Sequence, residues 1–284
     1  MSAREKNASQ WGAHLVLIPI CALTLYPVLW VIGLALTPGE AHLRAGLWPL
    51  PAHASLEHVG ALLSSRDAAG QLIFVRQLFN SLVVASATTA IGVALSVTAA
   101  YALSRFSFPG RQLGMSTLLA TQMFPATMMS VPLYAILDRL HLLDSLAGLT
   151  IVYATTAIPF SVWMLKGYFD TIPRDLEEAA LLDGATQGQI FLKVVLPLAR
   201  PALAVTALFS FMTAWNEFVL AATFIDGQSR FTLPVALQRL VGEYHTEWGQ
   251  FAAGALLVSA PVMLVFFALQ KHLVGGLTAG GVKG

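Results

Sequence analysis

Between positions 11 and 36 the chain carries no Asp, Glu, Lys or Arg. A helix of about 20 apolar residues crosses the ~30 Å hydrocarbon core of a bilayer, and a helix satisfies its own backbone polar groups there. His14, Pro19 and Pro27 interrupt the run but add no charge. Arg4 and Lys6 precede it, and it outruns the roughly 7–15-residue core of a cleaved signal, so it reads as an uncleaved signal anchor. Five more apolar runs follow, at about 78–103, 113–137, 146–165, 201–224 and 251–269. The expected fold is an all-α integral membrane protein. It has six transmembrane helices in one domain, 11–273, flanked by a short N-terminus, 1–10, and a tail, 274–284.

Composition agrees, with 56% apolar and 11% charged residues and a net charge of +1. No basic run suggests nucleic acid. The chain lacks GxxxxGK[ST], so it does not hold ATP, and it lacks HExxH, GxSxG and CxxC. The spans hold no paired carboxylates, which argues against a membrane protease and against a proton relay. Cys21, the lone cysteine, is expected as a small buried hydrophobe.

Orientation follows from the basic residues. Arg4, Lys6, Arg105, Arg111, Lys166, Arg174, Lys193, Arg200, Lys271 and Lys283 fall on one side. Arg44, Arg66, Arg76, Arg139, Arg230 and Arg239 fall on the other. The positive-inside bias places both termini in the cytoplasm. The long connection 37–77 then lies outside, where Ser55 is a candidate helix cap. Its His42, His53 and His58 have no compact ligand spacing and read as part of a solvated loop.

The polar stretch 171–200 concentrates charge and helix punctuation. Pro173 suits a first helical turn, Asp175, Glu177 and Glu178 complement the macrodipole, and Gly184 can take a left-handed cap, giving a helix over 173–183. Thr186 and Gln189 have capping-box spacing, so a second helix starts there and runs towards Pro197, with Pro201 close behind. Ala179 and Ala180 are small enough for a partner surface to approach closely. Leu176, Ala180 and Asp183 share a stripe, with Glu177, Glu178 and Leu181 on neighbouring faces. The pattern fits either an ordinary amphipathic helix or a knob that docks in another protein.

Glu178-Ala179-Ala180, Asp183-Gly184-Ala185, Phe191 and Leu196-Pro197 resemble the EAA loop of permeases in binding-protein-dependent ABC importers. Gln122-Met123-Phe124-Pro125, Lys166-Gly167-Tyr168-Phe169 and the glycine-rich tail 276–284 extend the likeness over about 11–284. They resemble the MalG-type permease subunit of maltose and maltodextrin importers. The resemblance implies the type I ABC importer permease fold in the inner membrane. It makes Glu177, Glu178, Ala179, Ala180, Asp183, Gly184 and Ala185 a coupling helix and turn that engage an ATPase subunit. It implies a MalF-like second permease, a MalK-like ATPase dimer, a MalE-like sugar-binding protein and surrounding lipid as partners. ATP and Mg belong to the ATPase, with no cofactor in this chain.

By composition the tail is mobile from Gly275. The resemblance would instead insert Thr278, Gly280, Gly281 and Lys283 along the ATPase interface. In the spans, Pro125 and Pro132 free backbone carbonyls, which makes the third helix with Gln122 a candidate pathway wall. Asn216 and Glu217 are the other pathway candidates. Glu217 lies roughly 24 Å along its span from Pro201, and it is either a contact for sugar hydroxyls, gating or the donor protein, or a carboxylate at the outer interface paired to a neighbouring helix. Trehalose or another oligosaccharide is the alternative substrate, and a secondary transporter without ATPase subunits the alternative class.

Overall fold

The computed structural model describes residues 3–39, 47–242 and 246–280. Among them there is no strand, only isolated bridges at Arg66 with Leu72 and Val241 with Thr246. Two compact units are present: Met1–Phe74 with Leu237–Ala260, and Val75–Ala236 with Pro261–Gly284.

In the first unit, α1 (Ala3–Leu36) is continuous through Pro19 and Pro27. From position 14 to 29 its side chains are exposed, Cys21 included, so the expectation of a buried cysteine fails. An apolar helix in lipid needs no protein neighbour to satisfy its side chains. The short α2 (Glu57–Ser64) starts one residue later than Ser55 predicts. Leu56 is the cap residue, and Ser55 Oγ accepts the Glu57 N–H at 3.1 Å. His58 is not solvated. It is buried, its Nε2 lies 2.8 Å from the Thr37 carbonyl, and it packs on Gly249, where a Cβ would fall 2.2 Å from the ring.

The second unit is built on α3 (Ile73–Arg105) and, further along, α6 (Leu146–Thr171). Between them the expected third span is broken into α4 (Arg111–Thr121) and α5 (Ala126–Arg139). Pro125 cannot donate and holds φ −64° with an extended ψ of 143°, so the ladder stops at the turn 122–125. After α6 come α7 (Asp175–Leu182), α8 (Gln187–Ile190), a π-helical turn (Phe191–Val195) and α9 (Leu196–Leu198). The expected fifth span is likewise split, into α10 (Arg200–Trp215) and α11 (Val219–Phe224), followed by a 3₁₀ turn (Gln228–Arg230) and α12 (Leu233–Gln238). The last helix, α13 (Trp248–Gly280), passes through Gly275 and Gly276. The residues expected to start the tail, Gly275 to Gly280, continue this helix, each adding one backbone bond to it. Thr278 and Gly280 lie in this helical backbone; Gly281 and Lys283 lie outside the described residues.

By length and apolarity four of these helices can cross a membrane, over His14–Leu36, Ile73–Arg105, Leu146–Thr171 and Trp248–Lys271. Gln187–Leu198 with Arg200–Trp215 passes as a pair bent by 77°. α6 is the buried centre of its unit: Leu149, Val152, Tyr153, Ala157, Val162, Leu165 and Phe169 are each at most 2% exposed. Small residues let helices approach it closely. Thr88 and Ser96 of α3 donate to the Thr150 and Ile158 carbonyls, and Ser161 bonds Ser210 of α10 at 3.2 Å.

At the Ile73 end of α3, side chains tie down the segment after α11. Asn80 Nδ2 donates to the Ser229 and Phe231 carbonyls, Gln77 to that of Gln228, and Ser81 Oγ accepts the Leu233 N–H. Asp144, at φ +48°, accepts the Gly227 N–H at 3.0 Å and the Asp226 N–H at 3.2 Å and pairs with Arg230. Burial alone would raise the Asp144 carboxyl, but the Gly227 amide, the Arg230 guanidinium and the Asp226 amide outweigh it and hold it below the ordinary carboxylate range. A depressed folded value stabilises above the unfolded one and is lost as pH falls through the folded value. Asp144→Asn should cost about 1 kcal/mol at neutral pH, the pair being partly exposed. In thermal melts the gap to wild type should close as pH drops below about 4; a gap independent of pH would remove the charge from the tie.

Candidate functional site

The helix–turn–helix at the Arg105 end of α3 starts from a complete glycine cap. Gly184 is left-handed at φ +82°; its N–H donates to the Leu181 carbonyl at 3.0 Å, and the Ala185 N–H reaches back to Ala180 at 2.9 Å. These are the two bonds of a Schellman motif, and they fix where α7 stops. The capping box follows directly: the Thr186 N–H donates to Gln189 Oε1 at 2.8 Å, and Thr186 Oγ1 accepts the Gln189 N–H at 3.4 Å. Then the Leu196 N–H reaches Phe191 O across a π turn. The extra residue lets Ile190 and Val195, five apart, both face the core with no exposure.

That core is made of Val97, Ala100 and Leu103 of α3, Val162, Leu165 and Phe169 of α6, and Ala199 and Ala202 beyond the turn. Ala180 and Ala185 pack against it. Of the two small residues of α7, only Ala179 faces outward; Ala180 makes its close approach to this chain's own core.

The two glutamates also divide. Glu177 is buried, with Oε1 2.5 Å from Arg105 Nε and Oε2 accepting the Tyr101 hydroxyl at 3.2 Å. Glu178 is exposed, with Ala179, Asp183 and Gly184. Beside them stands Leu182, 90% exposed, with Leu176 and Leu181 partly exposed. A cavity of about 150 Å³ lies between the α3 end and α7, lined by Tyr101, Arg105, Arg174, Glu178, Leu181 and Gln187 among others. These leucines and acids share the outward side of the loop.

Sequence reasoning missed Leu182 and the anchors Arg105 and Tyr101. Leu182 stands one turn after Glu178, a spacing that could have marked it. Arg105 is separated from Glu177 by 72 residues, so no local pattern points to the pair.

Nothing lies within 4 Å of where a Cβ on Gly184 would sit, so the cost of substitution there is conformational alone. Gly184→Val should lose about 1–2 kcal/mol of cap stability. Amide exchange at 184 and 185 should then rise about tenfold; unchanged exchange would show that a valine tolerates the left-handed turn.

The pathway candidates all lie at helix breaks. Gln122 Nε2 donates to the Thr156 carbonyl at 2.9 Å. Glu217 Oε2 accepts the Tyr153 hydroxyl at 2.7 Å, and the same carboxylate accepts the Leu220 and Ala221 N–H groups at 2.9 and 3.1 Å, capping α11. Both breaks are thus pinned to α6, one turn apart. Asn216 is exposed and donates to the Met212 carbonyl at 2.9 Å, closing α10. Glu217 is thus paired through Tyr153 to a neighbouring helix.

Residues 92–278 match the family described as binding-protein-dependent transport system inner membrane component. The chain is 36% identical over 274 residues to the galactooligosaccharides transport system permease protein GanQ of Bacillus subtilis, covering 96% of this chain and 95% of that one. It is 40% identical over 285 residues to the maltose/maltodextrin transport system permease protein MalG of Salmonella typhimurium, covering 95% of each. Among solved structures, a chain of a bacterial ABC transporter involved in the import of the acidic polysaccharide alginate superposes with a TM-score of 0.78. It is 24% identical, and the match covers 95% of this chain and 98% of that one, which shows the shared type I permease fold. With more than half its length matched to one family model and near-complete coverage of relatives above 30% identity, the chain belongs to the family of binding-protein-dependent transport system inner membrane components.

Proposed function

We propose that this chain is one of two permease subunits of an ATP-driven sugar importer, taking maltose or maltodextrins. It would act with a related permease, an ATPase dimer that holds ATP and Mg, and an extracytoplasmic binding protein. The observation that carries this reading is the outward face of α7. Leu182, Ala179, Glu178 and Asp183 are exposed beside a rigid glycine cap. Asp183 puts a carboxylate at the negative end of the helix dipole, where it does not help the helix. Such a face is suited to docking in a partner.

Both ends of the chain would be cytoplasmic and the chain would cross six times. The four long helices support four of these crossings, and the other two would be the broken pairs α4–α5 and α10–α11. ATPase closure would move α7, and the helices packed on its core would carry that motion to the pathway. Thr278, Gly280, Gly281 and Lys283 would lie against the ATPase interface. Gln122 and Glu217 would act by holding the helix breaks, with Asn216 facing the pathway. The likeness to a galactooligosaccharide permease makes a second oligosaccharide class the competing substrate.

The test is uptake of labelled maltose, maltotriose and a galactooligosaccharide into proteoliposomes holding this chain with its neighbouring permease, ATPase and binding protein. Maltose or maltotriose uptake that needs ATP and all four components supports the reading. Uptake of the galactooligosaccharide alone moves the substrate, and uptake driven by an ion gradient without ATP overturns the class.

A further inference from the structure

An eight-residue helix such as α7 is marginal by itself, and its inward side chains are small apart from one buried carboxylate. That carboxylate is the centre of a polar network. Arg105 donates from Nε to Glu177 Oε1, from Nη2 to the Ile172 carbonyl at 3.1 Å and from Nη1 to Ser104 Oγ at 3.0 Å. One guanidinium therefore touches α3, the link after α6, and α7. Ser104 Oγ donates to Asp170 Oδ1 at 2.6 Å, Lys166 closes on the other oxygen of Asp170, and Arg174 Nη2 donates to the Ser104 carbonyl at 3.3 Å. Tyr101, which gives the second bond to Glu177, is clamped between Phe191 at 4.7 Å and Phe169 at 6.3 Å.

The Arg105 and Glu177 side chains are only 7% and 11% exposed. A buried ion pair is often no more stable than a well-packed apolar pair of the same volume. What a planar guanidinium adds is direction, because each of its N–H groups has one fixed line to its partner. An apolar pair would fill the space and let α7 slide or rotate.

We infer that Arg105, Glu177 and Tyr101 are positioning residues that key α7 to α3 and α6, so that displacement of the docking helix moves these two helices instead of bending the loop. This rests on α7 being the coupling helix. It also separates the two glutamates of the loop: Glu177 holds the helix to its own chain, and Glu178 is left for the partner.

The readout is ATP hydrolysed per sugar imported, measured in the reconstituted complex. Arg105→Gln and Glu177→Gln should each raise that ratio about fivefold or more while hydrolysis continues, and Tyr101→Phe, which removes one bond, about twofold. The double variant Arg105→Met with Glu177→Leu refills the site with apolar groups. It should recover thermal stability and still hydrolyse ATP without matching import. A double variant that regains both stability and the wild-type ratio overturns the inference, because filling the space would then suffice. So does a wild-type ratio in Tyr101→Phe together with the double variant, which decides the matter if the single charge variants do not assemble. Amide exchange over 177–182 in the purified chain separates the anchor from the function it serves. If the wild-type complex imports nothing with ATP, the proposed function fails; about tenfold faster exchange in Arg105→Gln would still support the anchor, and unchanged exchange would overturn it.

Discussion

Leu182→Glu is expected to detach the ATPase from the complex while leaving the chain itself folded. Leu182 is 90% exposed, so its side chain stabilises nothing within this chain, and a surface change of this kind shifts folding by no more than about 0.5 kcal/mol. In a docked complex it is the apolar residue of α7 with most surface to bury. Burying a leucine contributes about 1.5–3 kcal/mol. Glutamate loses that contribution and adds a third carboxylate beside Glu178 and Asp183, which must be desolvated on docking. The sum corresponds to an affinity loss on the order of 100-fold. Co-purification of the ATPase should fall accordingly, with the melting temperature of the isolated chain unchanged. Retention of the ATPase at wild-type affinity would take Leu182 out of the interface.

The largest effect on folding is expected from Gly148→Ala. A Cβ there would sit 2.2 Å from the Leu142 carbonyl oxygen and 3.1 Å from Leu142 Cβ. The first of these is a backbone atom, and it cannot turn aside as a side chain could. It is held from several directions: Leu142 N–H bonds Leu137, Ser145 Oγ donates to Leu142 O and accepts the Gly148 N–H, and Asp144 N–H bonds Phe224. Relief must come from moving the start of α6, the buried helix on which both helix breaks are pinned. The expected loss is about 3 kcal/mol. Thermal unfolding of the detergent-purified chain measures it, with Gly92→Ala as the comparison because nothing lies within 4 Å of a Cβ there. A Gly148→Ala loss below about 1 kcal/mol would show that the 142–145 turn yields.

Much of the fold is legible because membrane helices and helix ends are local features. The charge-free runs place α1, α3, α6 and α13 along the chain, and Gly184, Thr186 and Gln189 mark the turn after α7. The prolines show where carbonyls are freed. They do not show which break opens: Pro19, Pro27, Pro132 and Pro159 stay inside continuous helices, while Pro125 stands at a break, as the cap residue before α5. Whether a neighbour takes up the freed groups is a matter of packing. The break at Asn216 and Glu217 was hidden for a related reason, since a carboxylate interrupts the helix ladder only when N–H groups and a partner hydroxyl such as that of Tyr153 are arranged to receive it.

Local pattern was enough to put this chain in a membrane, to place its apolar runs, and to set a capped polar helix–turn–helix apart from them. Each follows from residues within a few turns of one another. Which side chains of that motif face outward was settled by packing between distant helices. Two adjacent glutamates and two adjacent alanines are equivalent in composition, yet Arg105 and Tyr101 draw Glu177 inward and the α3–α6 core takes Ala180. That leaves Glu178, Ala179 and Leu182 on the surface. The choice depends on groups more than 70 residues away, brought within hydrogen-bonding distance only when the helices pack.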